Sequence, residues 1–134
     1  MPGTFIISID FEIHWGVYDT KSLNGYGANL RGVRQAIPRM LELFEQYDVQ
    51  TTFATVGLLF YKDKQTLLNS LPRRLPGYEN TALNPYLDIE NLLGKDEESD
   101  PYHYGRSMLE LISKSGKHEV GSHTFCHFYC LEKG

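Results

Sequence analysis

The chain has 134 residues, enough for one modest domain that buries a core, and its 41% hydrophobic and 22% charged residues argue against disorder. A net charge of -4 at pH 7 gives no support for nucleic-acid binding, which needs a basic surface. No stretch approaches the roughly 20 apolar residues of a membrane span, so we expect neither a nucleic-acid partner nor a span.

The N-terminus and the cysteines bear on cellular location. Residues 1–7 carry no basic segment and no small-residue cleavage site, and they lead directly into an apolar run. Cys126 and Cys130 are too few for a disulfide framework and fit a reducing compartment. We therefore expect a cytoplasmic protein.

The first third of the chain predicts a strand, a loop and a helix. Residues 4–10 are rich in β-branched and aromatic side chains, which is typical of a buried parallel strand. Residues 16–29 contain several glycines and predict a loop. Apolar residues at three- and four-residue spacing predict a helix over residues 30–47, which Pro38 should kink or divide.

The middle of the chain predicts a second strand, a helical segment and a long loop. Residues 49–56 read as the strand and residues 58–71 as mostly helical. Residues 72–101 hold most of the prolines and predict an extended loop, which we interpret as a lid or a substrate-facing excursion. We expect its acidic run, residues 96–100, to be a solvated surface.

The last third predicts a helix and a third strand. Residues 104–115 form the helix, with Gly116 as its C-cap, and Glu119 to Ser122 form the strand. The order of elements predicts an α/β fold in which crossover helices connect parallel strands, and all 134 residues belong to one domain.

Four side chains at predicted strand ends carry the chemistry. His123 and His127 are four residues apart, so on a helical turn they share one face and can hold one divalent cation. Asp10 and Glu12 follow the first strand. Because parallel strands place their carboxyl ends at one edge of a sheet, the two segments can meet there. The pattern points to metal-assisted hydrolysis, in which one carboxylate helps to bind the metal and the other serves as the general base.

The identity of the base follows from what stands beside the first histidine. In the pattern His-Glu-x-x-His the glutamate is the base, whereas here Thr124 occupies that position and cannot serve. Asp10 is then the natural candidate. We expect Thr124 to cap the turn and to steady the histidine rings. The alternative for Asp10 and Glu12 is a structural role as turn formers or helix N-caps.

The remaining histidines and the cysteines have less specific interpretations. His14 faces either the pocket or the surface, and with Trp15 it is a candidate substrate contact. We interpret His103 and His118 as surface or packing residues. The cysteines are expected to be small packing residues, although together with the two histidines of the motif they leave a structural zinc knot as an alternative.

At these residues the chain resembles the polysaccharide deacetylase family, also called the NodB-homology family or carbohydrate esterase family 4. Residues 119–127 match its His-Ser/Thr-x-x-His motif, and residues 50–57 resemble its second strand, usually Ala-Thr-Phe-Phe-Val-x-Gly. Residues 8–12, followed by residues 13–17, resemble a variant of its first motif, Thr-Phe-Asp-Asp-Gly.

The resemblance implies roles for individual residues. Asp10 would be the catalytic base, and His123 and His127 would be ligands of a divalent metal, most simply zinc. Phe11 replaces the second Asp of the family motif, and Glu12 is the nearby acid that can take the ligand role. The implied reaction removes acetyl groups from N-acetylated sugars of a polysaccharide or its precursor.

The resemblance also implies an irregular (β/α)7 barrel, which three strands cannot close. Further family motifs, including an arginine and a second histidine, are not found in this sequence, so we expect the N-terminal part of such a domain. Exposed sheet edges predict an oligomer. Two alternatives stay open: a metal-free amidase acting on a small amide, and a non-catalytic module that binds sugar or assembles with a partner.

Overall fold

Three short parallel strands form the sheet of the computed structural model, which describes residues 3–132. The strands are β1 (Ser8–Phe11), β2 (Thr52–Thr55) and β3 (Glu119–Ser122), and β2 lies between the other two. Both pairings are parallel, as predicted, and the bounds of β3 are those expected from the sequence. The α/β class is therefore confirmed, and the assignment of these strands to part of a (β/α)7 barrel stays a prediction.

The register aligns the three strand ends. Phe11 pairs with Thr55, which in turn pairs with Ser122. Beyond this row the backbone stays paired, because the His123 N–H donates to the Thr55 carbonyl at 2.8 Å. Glu12 and His123 therefore leave the sheet at the same edge, on either side of β2.

The first helix is longer than predicted. Helix α1 covers Leu23–Gln46, so the predicted loop is wrong for residues 23–29, and Pro38 lies inside one continuous helix rather than between two. The glycines of this segment did not break the helix because Ser22 caps it: its side chain accepts from the Gly25 N–H at 3.3 Å.

The segment after β2 is broken into short helical pieces. A 3₁₀ turn at Gly57–Phe60 precedes helix α2 (Lys64–Asn69), whose N-cap Asp63 accepts from the Thr66 N–H at 2.7 Å. Because Asp63 caps the helix in an extended conformation, the predicted helical segment divides there.

The predicted loop at residues 72–101 is ordered and packed. It contains 3₁₀ turns at Thr81–Leu83 and Pro85–Asp88 and helix α3 (Ile89–Leu92). Ile89 and Leu93 are buried in the core, so the predicted extended loop is wrong for this part of the segment, while the interpretation as a lid or substrate-facing excursion stays a prediction.

The acidic run is not a uniformly solvated surface. Asp100 is only 5% exposed and accepts from the Gly94 N–H at 2.8 Å. Glu97 pairs with Arg34 of α1 and accepts from the Ser107 N–H at 3.0 Å. The expectation failed because these acids find donors on other elements, which composition does not reveal.

Helix α4 (Arg106–Lys114) leads into β3. Ser115 follows its last residue, and Gly116 has φ +67°, the left-handed C-terminal conformation predicted from the sequence. The largest fully buried side chains are Trp15, Tyr104, Phe53, Leu58, Leu59, Leu67 and Ile112. Of the helices within residues 3–132, none is long and apolar enough to cross a membrane.

Candidate metal centre

Three side chains that follow the two outer strands, β1 and β3, converge on one point. The Oε2 atom of Glu12 lies 3.2 Å from Nε2 of His123 and 3.0 Å from Nε2 of His127. These donor atoms all lie within 4.8 Å of one another. Tetrahedral zinc with ligand bonds of about 2.1 Å holds neighbouring donors roughly 3.3 Å apart, so the cluster has the dimensions of a divalent cation site.

Glu12 shows in another way that the cluster fits a cation. Its Oε2 atom is buried and, among residues 3–132, has no partner with hydrogen-bond geometry. The Nε2 atoms of His123 and His127 lie 3.2 and 3.0 Å away but make no hydrogen bond to it, and a buried carboxylate oxygen without a hydrogen bond is unfavourable by about 1–3 kcal/mol. A cation held between this oxygen and the two imidazoles would remove that cost, and two nitrogens with one carboxylate are typical zinc ligands.

The turn after β1 makes room for the Glu12 side chain. Residues Ile13–Gly16 form a 3₁₀ turn, and the Trp15 N–H donates to the Glu12 carbonyl at 3.0 Å. A Cβ added to Gly16 would overlap Cδ and Oε1 of Glu12 and would lie 2.6 Å from its Cγ. Glycine at position 16 is therefore what allows the carboxylate to reach the histidines.

The segment that carries the histidines is an irregular turn, so the predicted helical turn is wrong. Thr124 and His127 have φ of 61° and 56°, which no right-handed helix allows. The turn is held instead by the Gly57 and Leu58 N–H groups, which donate to the carbonyls of Thr124 and Phe125 at 3.0 and 2.9 Å. The imidazoles meet through this backbone path and not through helical spacing.

Thr124 contributes to the turn through its side chain as well. Its Oγ1 accepts from the Phe128 N–H at 2.9 Å, which ties the start of the histidine segment to the residue after His127. This contact is of the kind expected for a residue that supports the histidine segment.

Left-handed backbone flanks the three donors. Ile13 directly follows Glu12 and has φ 48°, Thr124 directly follows His123, and His127 is itself left-handed. Such conformations cost about 1–3 kcal/mol each in residues other than glycine, and they persist only where the surroundings enforce them. Local preference therefore opposes the site, and tertiary contacts hold it.

Asp10 lies beside the cluster without joining it. Its Oδ1 atom is 3.8 Å from Nδ1 of His123, and its side chain is 59% exposed. Phe11, between the two acids, is 2% exposed and belongs to the core. The structure thus brings Glu12 to the histidines and leaves Asp10 at the solvent-facing rim.

His14 and Trp15, the candidate substrate contacts, are 4% and 0% exposed. The turn at Ile13–Gly16 directs its first three side chains into the interior, whereas Glu12 lies over Gly16. His14 and Trp15 are therefore packed in the interior, and their burial argues against the expected contact with substrate.

His14 belongs to a buried polar chain that the sequence did not predict. Its Nδ1 atom lies 2.7 Å from Nε2 of His103, whose Nδ1 lies 2.8 Å from Oδ2 of Asp100. At the other end Nε2 of His14 lies 3.1 Å from the Lys21 carbonyl. His103 is fully buried, so of its two expected settings the packed one is observed.

Both ends of this buried chain are acceptors, because the carboxylate of Asp100 and the carbonyl of Lys21 each face a ring nitrogen that can donate an N–H. Burial lowers the pKa of His14, which favours the neutral form of that ring. Burial would raise the pKa of the Asp100 carboxyl, but the hydrogen bond and the attraction from His103 outweigh it, and the pKa lies below its usual range.

His118 and the cysteines have structural settings. His118 is packed between the rings of Phe44 and Phe53, as the packing interpretation requires. Cys126 is 3% exposed, as a packing residue should be, whereas Cys130 is exposed, so the packing interpretation is wrong for Cys130; both are free thiols. Within the described part of the chain neither thiol belongs to the donor cluster, so no zinc knot forms there.

Asp100, His103, Gly16 and Gly57 were not recognised as site residues from the sequence. The spacing Asp-x-x-His at residues 100–103 was a usable signal, because it pairs an acid with an imidazole, whereas nothing local marks the two glycines.

Comparisons with protein-family models, curated proteins and solved structures found no match. The resemblance to polysaccharide deacetylases therefore stays a prediction.

Proposed function

We propose that this chain forms the metal-binding part of a hydrolase that removes acetyl groups from N-acetylated sugars, in the manner of the polysaccharide deacetylases it resembles. The observation that carries the proposal is the convergence of Glu12, His123 and His127 at the strand ends. The motif resemblance supplies the reaction and the substrate class.

Zinc is the ion that this donor set fits best. Two imidazoles and one carboxylate are a common ligand set of catalytic zinc, which keeps a fourth position open. When bound, such an ion supplies a Lewis acid that polarises a carbonyl and lowers the pKa of a water. The side chains of Glu12, His123 and His127 are 25%, 30% and 21% exposed, so the cluster is open to solvent on one side.

Asp10 is the residue we assign to proton transfer. Its side chain is 59% exposed, and its carboxylate lies 3.8 Å from Nδ1 of His123, beside the three donors that converge. In the proposed reaction a water adds to the acetamide carbonyl carbon and Asp10 takes its proton. The C–N bond then breaks, the proton passes to the leaving nitrogen, and acetate and a free amine are the products.

The first test is metal binding by the purified chain. After removal of adventitious ions with a chelator, zinc binding is measured by competition titration and elemental analysis for wild type, His123→Ala and the control His118→Ala, which removes a histidine outside the cluster. We expect one equivalent in wild type and in the control and none in His123→Ala. Equal zinc content in all three, or no zinc in wild type, would contradict the proposed site.

The second test addresses the reaction. Because the further family motifs are not found in this sequence, we expect little or no activity from this chain alone. Acetate release from N-acetylglucosamine oligomers is therefore measured on a zinc-loaded polypeptide that also carries those motifs, with Asp10 and with Asp10→Asn, and we expect release only with Asp10. Such a polypeptide that binds zinc but releases no acetate from these sugars would contradict the deacetylase assignment while leaving the metal site intact.

A further inference from the structure

The buried chain formed by Asp100, His103 and His14 ends in the turn that follows Glu12, because His14 is a residue of that turn. The three side chains are 5%, 0% and 4% exposed, and none of them contacts the metal cluster in the interactions described above. Burying a carboxylate and two imidazoles is unfavourable compared with apolar packing unless their hydrogen bonds are complete and well oriented. A buried chain of this kind, when its hydrogen bonds are complete, fixes the orientation of the groups that it joins.

The segment that carries His103 holds the turn at three points. The rings of His14 and His103 are joined by the 2.7 Å contact, and the His14 N–H donates to the Tyr102 carbonyl at 3.2 Å. The Trp15 indole N–H donates to the His103 carbonyl at 3.0 Å. Asp100 in turn fixes the orientation of the His103 ring through Nδ1.

The turn passes this constraint to Glu12. The turn begins at Ile13, whose left-handed backbone is unfavourable for a β-branched residue and therefore needs a restraint from the surrounding structure. Trp15 then donates its N–H to the Glu12 carbonyl, and Gly16 packs directly against the Glu12 side chain. A shift of the turn therefore moves the carboxylate away from the histidines.

We propose that Asp100, His103 and His14 are positioning residues, which fix the turn at Ile13–Gly16 and through it the Glu12 carboxylate. The part of this proposal that concerns metal affinity rests on the proposed metal site. The part that concerns the turn does not, because it follows from contacts between protein groups alone.

The experiment compares Asp100→Asn and His103→Gln with wild type and with a control. Leu67→Ala removes buried apolar volume from α2, which supplies no residue to the cluster, and serves as the variant matched for loss of thermal stability. Two quantities are measured on the full chain: the zinc dissociation constant by competition titration, and the hydrogen-exchange rates of the His14 amide and the Trp15 indole without metal.

Positioning predicts a selective effect on both quantities. In Asp100→Asn and His103→Gln we expect zinc affinity to fall about 10- to 100-fold, the range seen when supporting groups of metal ligands are removed. Hydrogen exchange at the His14 amide and the Trp15 indole should accelerate at least tenfold relative to exchange at the His123 amide. The His123 amide is the reference because it donates to the Thr55 carbonyl of β2 and makes no contact with the turn. Leu67→Ala should slow or speed all three sites alike and change zinc affinity less than threefold.

Failures of the two proposals have different signatures. Unchanged exchange at His14 and Trp15 in both folded variants, or effects no larger than those of Leu67→Ala, would overturn the positioning role whatever the zinc result. If wild type binds no zinc but exchange accelerates selectively in the variants, the metal site is wrong and the restraint on the turn stands. If one variant fails to fold, the other decides.

Discussion

The Glu12 carboxyl group occupies the space in which a side chain at residue 16 would begin. A Cβ on Gly16 would overlap Cδ and Oε1 of Glu12, so the reach of this carboxylate toward His123 and His127 depends on a missing methyl group four residues away. The chain has no such constraint at Gly32, where an added Cβ would meet nothing within 4 Å.

Gly16→Ala is therefore expected to displace the Glu12 side chain and to weaken zinc binding at least tenfold, with a small change in Tm because the carboxylate can turn toward solvent. Gly32→Ala is the matched control. It lies inside α1, and we expect it to leave zinc binding unchanged and to stabilise the fold by up to about 1 kcal/mol, the difference in helix propensity. Equal zinc affinities in the two variants would contradict this account of Gly16.

Gly57→Ala should affect the histidine turn through its backbone. An added Cβ would lie 3.1 Å from Cα and 3.2 Å from the carbonyl oxygen of Phe125, and these atoms cannot move without moving the turn. We expect both Tm and zinc affinity to fall. Gly116→Ala is the control, because its φ of +67° strains any other residue but touches no part of the cluster: Tm should fall while zinc affinity holds. An unchanged zinc affinity in Gly57→Ala would refute the predicted coupling.

Substitutions at Glu12 and at Asp10 should have different effects, the first on zinc affinity and the second on acetate release. Glu12→Gln removes the only carboxylate of the donor cluster, so we expect zinc affinity to fall about 100-fold or more. Asp10→Asn leaves the cluster intact and should change zinc affinity less than threefold, while acetate release by the polypeptide that carries the further family motifs falls about 10²- to 10⁴-fold, the usual contribution of a general base. Loss of zinc affinity in Asp10→Asn, with zinc affinity retained in Glu12→Gln, would contradict the roles assigned to the two acids.

Glu97 makes a pH-dependent contribution to stability. Burial raises the pKa of its carboxyl, but hydrogen bonds from Ser107 and Arg34 outweigh burial, and the pKa lies below its usual range. Because the folded-state pKa is the lower one, the contribution is complete above the unfolded pKa of about 4.3 and is lost as pH falls through the folded value. The stability difference between wild type and Glu97→Gln should thus be larger at pH 7 than at pH 3.

Urea unfolding at the two pH values measures this difference. Glu98→Gln alters the neighbouring exposed acid and provides the comparison. A wild-type advantage over Glu97→Gln that is the same at pH 3 and pH 7 would show that the carboxylate charge is not what Arg34 and Ser107 stabilise.

The order and the parallel pairing of the strands were predictable from the sequence, but the bounds and burial of β1 were not. This strand was predicted as a buried run over residues 4–10, whereas it covers Ser8–Phe11, and Phe5 and Ile6 are 88% and 76% exposed. Glu119–Ser122 was predicted with its observed bounds, since this short stretch lies between Gly116, which ends the preceding helix, and the histidine motif.

The start of α1 was missed because Gly25 and Gly27 outweighed Ser22, although a serine cap is the stronger signal. Gly27 has a packing reason: an added Cβ would lie 3.3 Å from Oη of Tyr102.

The candidate site was predictable in its ligands and not in its geometry. His123, His127 and Glu12 could be chosen by chemistry and by their place after strands, which the register explains. The non-helical path between the histidines could not, because left-handed Thr124 and His127 contradict local preference and follow from contacts with Gly57 and Leu58. The burial of His14 depends on His103, 89 residues away, which no periodicity links to it.

The separation of Glu12 from the histidines by more than a hundred residues of chain has a consequence for folding. The carboxylate reaches the imidazoles only after two crossovers have closed and β2 has entered between the outer strands, so the complete site forms late and cannot act as a nucleus. An ion that binds the completed site binds only the native state. It would therefore slow unfolding and raise Tm with ion concentration, and leave the refolding rate nearly constant.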